Sequence, residues 1–235
     1  MKITVLYATN KKQTSSTYQL AQTAIQELSQ GDDVYEFSLL TEMKHFCSGC
    51  FSCFNGYPEK CKNYPYLIPI KQAMKASDLI VFACPVYVYH VPGQVKTFLD
   101  HCAYEWMMHR PDPVMFHKQA LIISTAAGGG TDSTVKDITD SLTFWGVSHI
   151  YSYQKSVYRE NWTDIESSLQ EKYRSDVQKV CQRIQKESTH LNVSLKVKQY
   201  FYLFRALHQK GRFLKADNAY WKASGWLEKK RPWKE

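Results

Sequence analysis

The regular alternation of short apolar segments with helical patterns is the feature that most constrains the fold of this chain. Segments 3–9, 78–85 and 119–126 are rich in β-branched and aromatic residues and are apolar on both faces, as strands covered by helices on both sides must be. Segments 33–39 and 147–153 add two strands, and the first of them alternates polar with apolar residues, which favours a position near a sheet edge. The pattern predicts an α/β fold, a doubly wound five-stranded parallel sheet.

Residues that cap or break helices predict where several helices begin and end. A helix over 92–104 has proline in its first turn, where the missing N–H costs nothing. We expect Thr131 or Asp132 to cap a helix that Gly146 separates from the fifth strand. A long amphipathic helix is expected over 164–186.

Composition and charge exclude several classes of protein. No apolar run approaches the roughly 18 residues of a membrane span, and the N-terminus lacks the longer apolar stretch of a signal peptide, so we expect a cytoplasmic protein. The formal net charge is +8, and residues 193–235 account for it, with eleven Lys or Arg against three Asp or Glu. A general nucleic-acid-binding surface is therefore a weak inference, and we expect neither nucleic acid nor membrane as a partner.

Residues 191–235, the C-terminal extension, break the strand–helix rhythm. They are basic and aromatic and too apolar for a disordered tail, so we expect helices that pack on the preceding domain or on a second subunit. The extension carries large apolar side chains at helical spacing, namely Val197, Tyr200, Phe201, Phe204 and Leu207. Asp217 is expected to cap a short helix that Gly225 ends. The predicted organisation is one domain over 1–190, with a cysteine-rich insertion at 46–62, followed by this extension.

The loop over residues 9–17 joins the first strand to the first helix and suits a phosphate. Ligands of doubly wound sheets bind beyond the carboxyl ends of the strands, where this loop lies. It supplies five hydroxyls, two lysines and the free amides of a helix N-terminus. An ordinary Ser/Thr helix cap with solvated lysines is the alternative. The sequence lacks both a Walker A loop and a GxGxxG motif, which disfavours triphosphate hydrolysis and a Rossmann-type dinucleotide site.

Two further loops follow predicted strands at the same edge of the sheet. Residues 85–93 form a stiff loop with two tyrosines between two prolines, which could line a flat heterocycle; surface-packed tyrosines are the alternative. Residues 125–131 include three consecutive glycines, whose backbone can approach a ligand closely and whose amides can face a polar ring edge. A plain flexible connector is the alternative there. The three loops together predict a ligand site far more specifically than any one of them does alone.

Four of the seven cysteines lie within fifteen residues and suggest metal or redox chemistry. The spacing Cys47-x2-Cys50-x2-Cys53-x7-Cys61 begins like the bacterial ferredoxin run, in which thiolates from one loop hold an iron–sulfur cluster. Phe46, Phe51 and Phe54 could shield such a cluster from water. Four-thiolate zinc, redox-active thiols and a remnant that binds nothing remain alternatives. The scattered cysteines, Cys84, Cys102 and Cys181, are expected to be small buried apolar residues.

Four motifs together resemble a known family. They are the hydroxyl-rich loop ATNKKQTSST, the cysteine run, the segment DLIVFACPVYVYHVPGQVKTFLD and the glycine loop TAAGGG. Over residues 1–185 the chain resembles the flavodoxin-like NAD(P)H-dependent FMN reductases, particularly the iron–sulfur flavoprotein branch. The resemblance implies the flavodoxin-like strand order 2-1-3-4-5. The chain departs from the family pattern at Lys11, where relatives often have arginine. It also lacks a glycine at that turn.

The resemblance implies an enzyme, an FMN-dependent oxidoreductase that takes hydride from NAD(P)H and passes electrons to a small-molecule or protein acceptor. It also implies a homo-oligomer, a dimer or larger, and a [4Fe–4S] cluster on Cys47, Cys50, Cys53 and Cys61. No side chain is assigned as catalytic, because the flavin carries the chemistry. The implied FMN phosphate residues are Thr9, Lys11, Ser15, Ser16 and Thr17. The implied ring-lining residues are Pro85, Val86, Tyr87, Val88, Ala127, Gly128 and Gly129. A flavodoxin-like electron carrier and a flavin-less binding or regulatory module are the rival interpretations.

Overall fold

Five parallel strands form one sheet at the centre of the molecule. The computed structural model describes residues 1–29, 31 and 34–234. The strands lie in the order β2-β1-β3-β4-β5, which confirms the predicted fold class and strand order. Their bounds are β1 Ile3–Tyr7, β2 Val34–Ser38, β3 Leu79–Ala83, β4 Gln119–Ala126 and β5 His149–Ser156. Asp33, the first residue of the predicted second strand, lies outside the described residues.

Helices connect the strands and continue beyond the sheet. They are α1 Ser16–Leu28, α2 Leu39–Glu42, α3 Tyr64–Ala76, α4 Gly93–His101, α5 Thr131–Trp145, α6 Ser167–Glu187, α7 Leu195–Gln209 and α8 Lys215–Ala223. Short 3-10 turns follow α4 at 103–108 and precede α6 at 162–164, so these two α-helices are shorter than the predicted 92–104 and 164–186. Across the described part of the chain, every helix is too short or too polar to cross a membrane.

Burial explains why the predicted strands form. Every residue of β1, β3 and β4 is buried, since helices cover both faces of the sheet there. β2 is one of the two edge strands and is partly exposed, as its alternating pattern predicts. Helices α1 and α6 cover one face of the sheet, whereas α3, α4 and α5 cover the other. All parallel strands therefore end at the same edge, where the three predicted ligand loops emerge.

The start of α5 differs from the prediction. Neither Thr131 nor Asp132 caps this helix; Gly130 occupies the N-cap position with φ of 97° and no side-chain cap. A Cβ atom on Gly130 would lie 2.7 Å from the Cα of Tyr89, so only glycine fits this close approach. The prediction was wrong because the decisive contact comes from a loop about forty residues earlier in the chain. Gly146 does end α5, as predicted, with φ of 105°.

The C-terminal extension forms helices that pack on the α/β domain. Val197, Phe201 and Phe204 of α7 are buried together with Met108 and Phe116, which precede β4. Gly225 follows α8 with φ of 69°, in the predicted helix-ending role. The division of the chain into residues 1–190 and 191–235 stays a prediction.

Asp217 does not cap α8, contrary to the prediction. Leu214 is the N-cap residue of α8, and it provides no side-chain hydrogen bond to the helix. Asp217 is fully buried inside the first turn, where its carboxylate lies 2.7 Å from His109 Nδ1 and 2.9 Å from Arg110 Nε. A buried carboxylate requires such partners, and this tertiary requirement overrides its local capping preference.

Candidate functional site

A cavity of about 190 Å³, the strand-end cavity, lies beyond the carboxyl ends of the parallel strands. Residues from all three predicted loops line it: Thr9, Lys11, Ser15, Ser16, Thr17, Pro85, Val86, Tyr87 and Ala127. The sheet brings these residues together because β1, β3 and β4 are neighbours and end at the same level. This edge of a doubly wound sheet is where such folds bind ligands.

The N-terminus of α1 forms one end of this cavity. Ser15 is the N-cap residue, and its Oγ accepts a hydrogen bond from the Tyr18 amide at 3.3 Å. Ser16 and Thr17, in the first turn, are buried, and Thr17 Oγ1 lies 2.6 Å from Thr125 Oγ1 on β4. The first amides of a helix have no partner within the helix and attract an anion. This end of the cavity therefore fits a phosphate group.

Thr125 and Ala126, at the start of the predicted glycine loop, also line the cavity, and three residues outside the predicted loops join them, namely Val157, Arg159 and Glu160. Glu160 forms an ion pair with Lys11, with 2.9 Å between Oε1 and Nζ. Arg159 adds a second cation at the cavity wall, and its Nη1 donates to the carbonyl of Tyr158. The segment that follows β5 begins at the same sheet edge as the other loops. The rule that ligands bind beyond the carboxyl ends of parallel strands could therefore have identified it.

A tight turn over 87–90 contributes Tyr87 to the cavity wall. The amides of Tyr87 and His90 each donate to the other residue's carbonyl, at 2.9 and 3.1 Å. Val88 and Tyr89 between them have φ of 47° and 65°, a conformation that is strained for a β-branched residue. The close contact with Gly130 supports this turn from behind.

Three predicted ring-lining residues do not line the cavity. Val88 points away from the protein and is 95% exposed. Gly128 accepts a hydrogen bond from the Ser156 hydroxyl through its carbonyl, and Gly129 lies under the Tyr89 ring. The proposed cofactor roles of these three residues stay predictions, as do those of the residues that line the cavity.

The four clustered cysteines line a second, separate cavity of about 550 Å³. Cys47 and Cys50 are exposed, whereas Cys53 and Cys61 are half-buried. Burial raises the pKa of the Cys53 thiol, a hydrogen bond from the Phe54 backbone lowers it, and electrostatic interaction with Cys47, Cys61 and Cys50 raises it further. Cys61 Sγ lies 3.3 Å from His101 Nδ1.

This donor set fits a thiophilic metal in its chemistry, since four thiols face one cavity. Among residues 1–29, 31 and 34–234, however, no three His, Cys, Asp or Glu side chains are arranged so as to hold a metal ion. Phe46 and Phe51, which were expected to shield a cluster, are 82% and 58% exposed. The metal role of the four cysteines stays a prediction.

The remaining cysteines match the expectation for structural residues. Cys84, Cys102 and Cys181 are buried, and burial raises the pKa of each thiol, to about 12 for Cys181. Deep burial and a raised pKa make such thiols poor nucleophiles and poor ligands. All seven cysteines are free in this structure.

Comparisons with known proteins agree with the fold. The sequence model of the NADPH-dependent FMN reductases matches residues 1–161. A curated iron–sulfur flavoprotein from Archaeoglobus fulgidus is 24% identical over 219 residues, covering 87% of this chain and 90% of that protein. An FMN-dependent NADH:quinone oxidoreductase from Psychromonas ingrahamii is 32% identical over 84 residues, which span 32% of this chain and only 41% of that protein.

A solved structure shows the same fold at low sequence identity. The FMN-dependent NADH-azoreductase from Bacillus anthracis, in complex with FMN, superposes with a TM-score of 0.61 at 14% identity. The match covers 78% of this chain and 99% of the azoreductase. The family match extends through β1 to β5 and includes every residue that lines the strand-end cavity. The chain thus belongs to the NADPH-dependent FMN reductase family of flavodoxin-like oxidoreductases, which use FMN and NAD(P)H.

Proposed function

We propose that this protein holds FMN in the strand-end cavity, accepts hydride from NAD(P)H and passes electrons to a small-molecule or protein acceptor. The observation that carries the proposal is the convergence of three predicted loops on one cavity that opens at a helix N-terminus. Bound FMN would supply the hydride and electron-transfer chemistry, which no amino-acid side chain provides. The protein's own residues bind and orient the cofactor.

The phosphate of FMN fits the α1 end of the cavity. Ser15, Ser16 and Thr17 supply hydroxyls, and the first amides of α1 supply further donors and the positive end of the helix dipole. Lys11 and Arg159 supply positive charge from two sides. Pro85 and Tyr87, on the opposite loop, would limit the access of water to the ring.

The flavin proposal is tested by the cofactor that denatured protein releases. We expect FMN, and we expect NAD(P)H to bleach the bound flavin rapidly, which an electron carrier without pyridine-nucleotide activity would not allow. Replacing Ser15 and Ser16 with alanine should weaken FMN retention by about 1 kcal/mol per lost hydrogen bond, and by more where the partner is charged. Thr14→Ala is the matched control, because Thr14 lies in the same loop but bonds the Lys11 carbonyl. Release of FAD, or of no flavin, would contradict the proposal.

A third cavity supports a small-molecule acceptor. It has a volume of about 610 Å³ and includes Phe54, Trp106 and His109 in its walls. His90, at the end of the 87–90 turn, lines it, and it shares Phe54, Asp100 and Ala103 with the cysteine cavity, so it adjoins that cavity. Its lining combines the rings of Phe54 and Trp106 with charged side chains that include Lys96, Asp137 and Asp140, which suits a flat organic molecule that carries polar groups.

We further propose that Cys47, Cys50, Cys53 and Cys61 hold a [4Fe–4S] cluster. Their shared cavity supports this, as does the name of the Archaeoglobus relative, iron–sulfur flavoprotein. Protein purified without oxygen should contain about four irons per chain. Cys50→Ser should abolish the iron and leave the FMN, whereas the neighbouring Ser48→Ala should leave both unchanged. Zinc in place of iron, or no metal at all, would overturn the proposal.

The protein is further proposed to be a cytoplasmic homodimer or larger oligomer. Large side chains that are exposed in the single chain, including Val88, Tyr89 and Leu203, support self-association. Seven free thiols, two of them exposed, support a reducing compartment. Sedimentation of the purified full chain tests the assembly, and a monomer at micromolar concentration would contradict it.

A further inference from the structure

The backbone hydrogen bonds of the turn that carries Cys53 run mostly within the turn itself. Residues 51–56, the Cys53 turn, close on themselves through backbone bonds, such as Asn55 N to Phe51 O at 3.0 Å and Gly56 N to Cys53 O at 3.2 Å. Such bonds define the shape of the turn but do not attach it to the domain. Its place relative to the other cysteines must therefore come from outside contacts.

Two consecutive residues of the 103–110 region provide such contacts. The Arg110 guanidinium donates from Nη2 to the carbonyl of Cys53, and its side chain is only 11% exposed. His109 meets the Phe54 ring edge-on, with 5.0 Å between ring centroids. Arg110 thus contacts Cys53, and His109 contacts Phe54.

Both of these side chains are held in turn by one carboxylate of the C-terminal extension. Asp217 is fully buried, and its two oxygens lie 2.7 Å from His109 Nδ1 and 2.9 Å from Arg110 Nε. A buried carboxylate is costly unless it is paired; Oδ2 is hydrogen-bonded to His109, whereas Oδ1 and Arg110 Nε form an ion pair without hydrogen-bond geometry. The preceding residue, Ala216, lies so close to the turn that a Cβ on Gly56 would be 3.4 Å from its Cβ.

We propose that Asp217 and Arg110 are positioning residues for the cysteine segment, so that the C-terminal extension fixes the arrangement and accessibility of its thiols. The chain of contacts runs from Asp217 in α8, through Arg110, to the Cys53 carbonyl. The extension therefore does more than cover apolar surface. The consequence for metal content rests on the proposed role of the four cysteines, whereas the positioning itself does not.

The test is the rate at which a maleimide labels residues 47–61 in the full chain after metal removal, followed by peptide mass spectrometry. Arg110→Lys keeps a cation beside Asp217 but loses the planar fork that reaches Cys53. We expect it to speed labelling of the half-buried Cys53 by at least about tenfold, as loss of a buried charged hydrogen bond implies, whereas Cys47 and Cys50, which are already exposed, should change little. Asp217→Asn should act in the same direction. Tyr220→Phe is the matched control, because it removes a bond from α8 to the Pro111 carbonyl and spares the cysteine segment.

Hydrogen–deuterium exchange over α7 and α8 separates local from general effects. If Asp217→Asn raises exchange throughout α7 and α8, its labelling rate no longer reports a local effect, and the labelling rate of Arg110→Lys tests the proposal. Unchanged labelling in Arg110→Lys, with the extension still protected, would overturn the proposal. In protein purified without oxygen, Arg110→Lys should lose iron faster than Tyr220→Phe. A wild-type protein without iron would contradict only the proposal that the cysteines hold a cluster. The labelling rates would still test whether Arg110 and Asp217 position the cysteine segment.

Discussion

His208 lies between two aromatic rings in the core of the C-terminal extension. Its ring stacks on Phe213 and Trp221, with centroids 3.9 and 4.3 Å away. Its Nδ1 is 2.8 Å from Asn218 Oδ1, and its Nε2 is 3.3 Å from the Met108 carbonyl. Burial lowers the pKa of His208, and this effect outweighs the hydrogen bonds and the nearby charge of Asp217, which act in the opposite direction. The folded protein therefore favours the neutral ring.

This lowered pKa predicts a loss of stability in mild acid. Below the ordinary histidine pKa of about 6.5, the unfolded chain takes up a proton that folded His208 resists, so the free energy of unfolding should fall as pH decreases. His208→Gln should remove that part of the pH dependence and should cost about 1–3 kcal/mol at pH 8 through lost stacking and hydrogen bonding. Chemical denaturation of both proteins from pH 8 to pH 5 measures the difference. Parallel curves for the two proteins would refute this assignment.

At the scale of elements, the 87–90 turn and the start of α5 depend on each other. Tyr89 approaches Gly130 so closely that the side chain of any other residue would displace the turn. The turn contributes Tyr87 to the strand-end cavity, and α5 begins where the glycine loop leaves β4. A change at Gly130 should therefore disturb the strand-end cavity, because a Cβ there would also lie 2.8 Å from Cγ1 of Val86, which lines that cavity.

Gly130→Ala tests this coupling. The left-handed backbone conformation costs alanine about 1–2 kcal/mol, and the clash with the Tyr89 backbone adds to it. We expect lower stability together with weaker FMN retention, measured by thermal unfolding and by flavin content after dialysis. Gly93→Ala is the control, because nothing lies within 4 Å of a Cβ at that position. Equal behaviour of the two variants would show that the turn tolerates displacement.

The strands were predictable because burial on both faces leaves a continuous apolar pattern in the sequence, as in β1, β3 and β4. Their common edge made the loop over 9–17 predictable as a cavity wall. Contacts between distant segments left no such pattern. Gly130 replaces a side-chain cap because of Tyr89, and Asp217 is buried because of Arg110. Neither partner can be identified from local spacing.

At the scale of the whole molecule, the C-terminal extension completes a third core. Phe201, Trp221 and Trp226 pack with Phe116, which precedes β4 of the sheet domain. The extension also contributes the Tyr220 hydroxyl, which donates to the Pro111 carbonyl at 2.7 Å. Domain and extension thus share buried surface, and we expect them to unfold together.

Deletion of everything after Ser194 tests this dependence. The truncated chain would expose Met108 and Phe116, each at a cost of about 1.5–3 kcal/mol. We expect a lower melting temperature and aggregation, measured by calorimetry and light scattering, whereas deletion after Trp233 should have little effect. A truncated protein that stays soluble and keeps its melting temperature and oligomeric state would show that the extension is dispensable.

The ion pair between Lys11 and Glu160 has a consequence for the response of the protein to ionic strength. The pair bridges two loops at the strand-end cavity, and both side chains are largely solvent-accessible, so salt screens it. The proposed contact between the FMN phosphate and Lys11 would compete with the ion pair to Glu160, and added salt would weaken both interactions. FMN affinity should therefore fall less steeply with salt in the wild-type protein than in Glu160→Gln, where only the attraction for phosphate remains to be screened. Flavin titrations of the two proteins at low and high salt would compare these slopes, and equal slopes would mean that Glu160 does not compete.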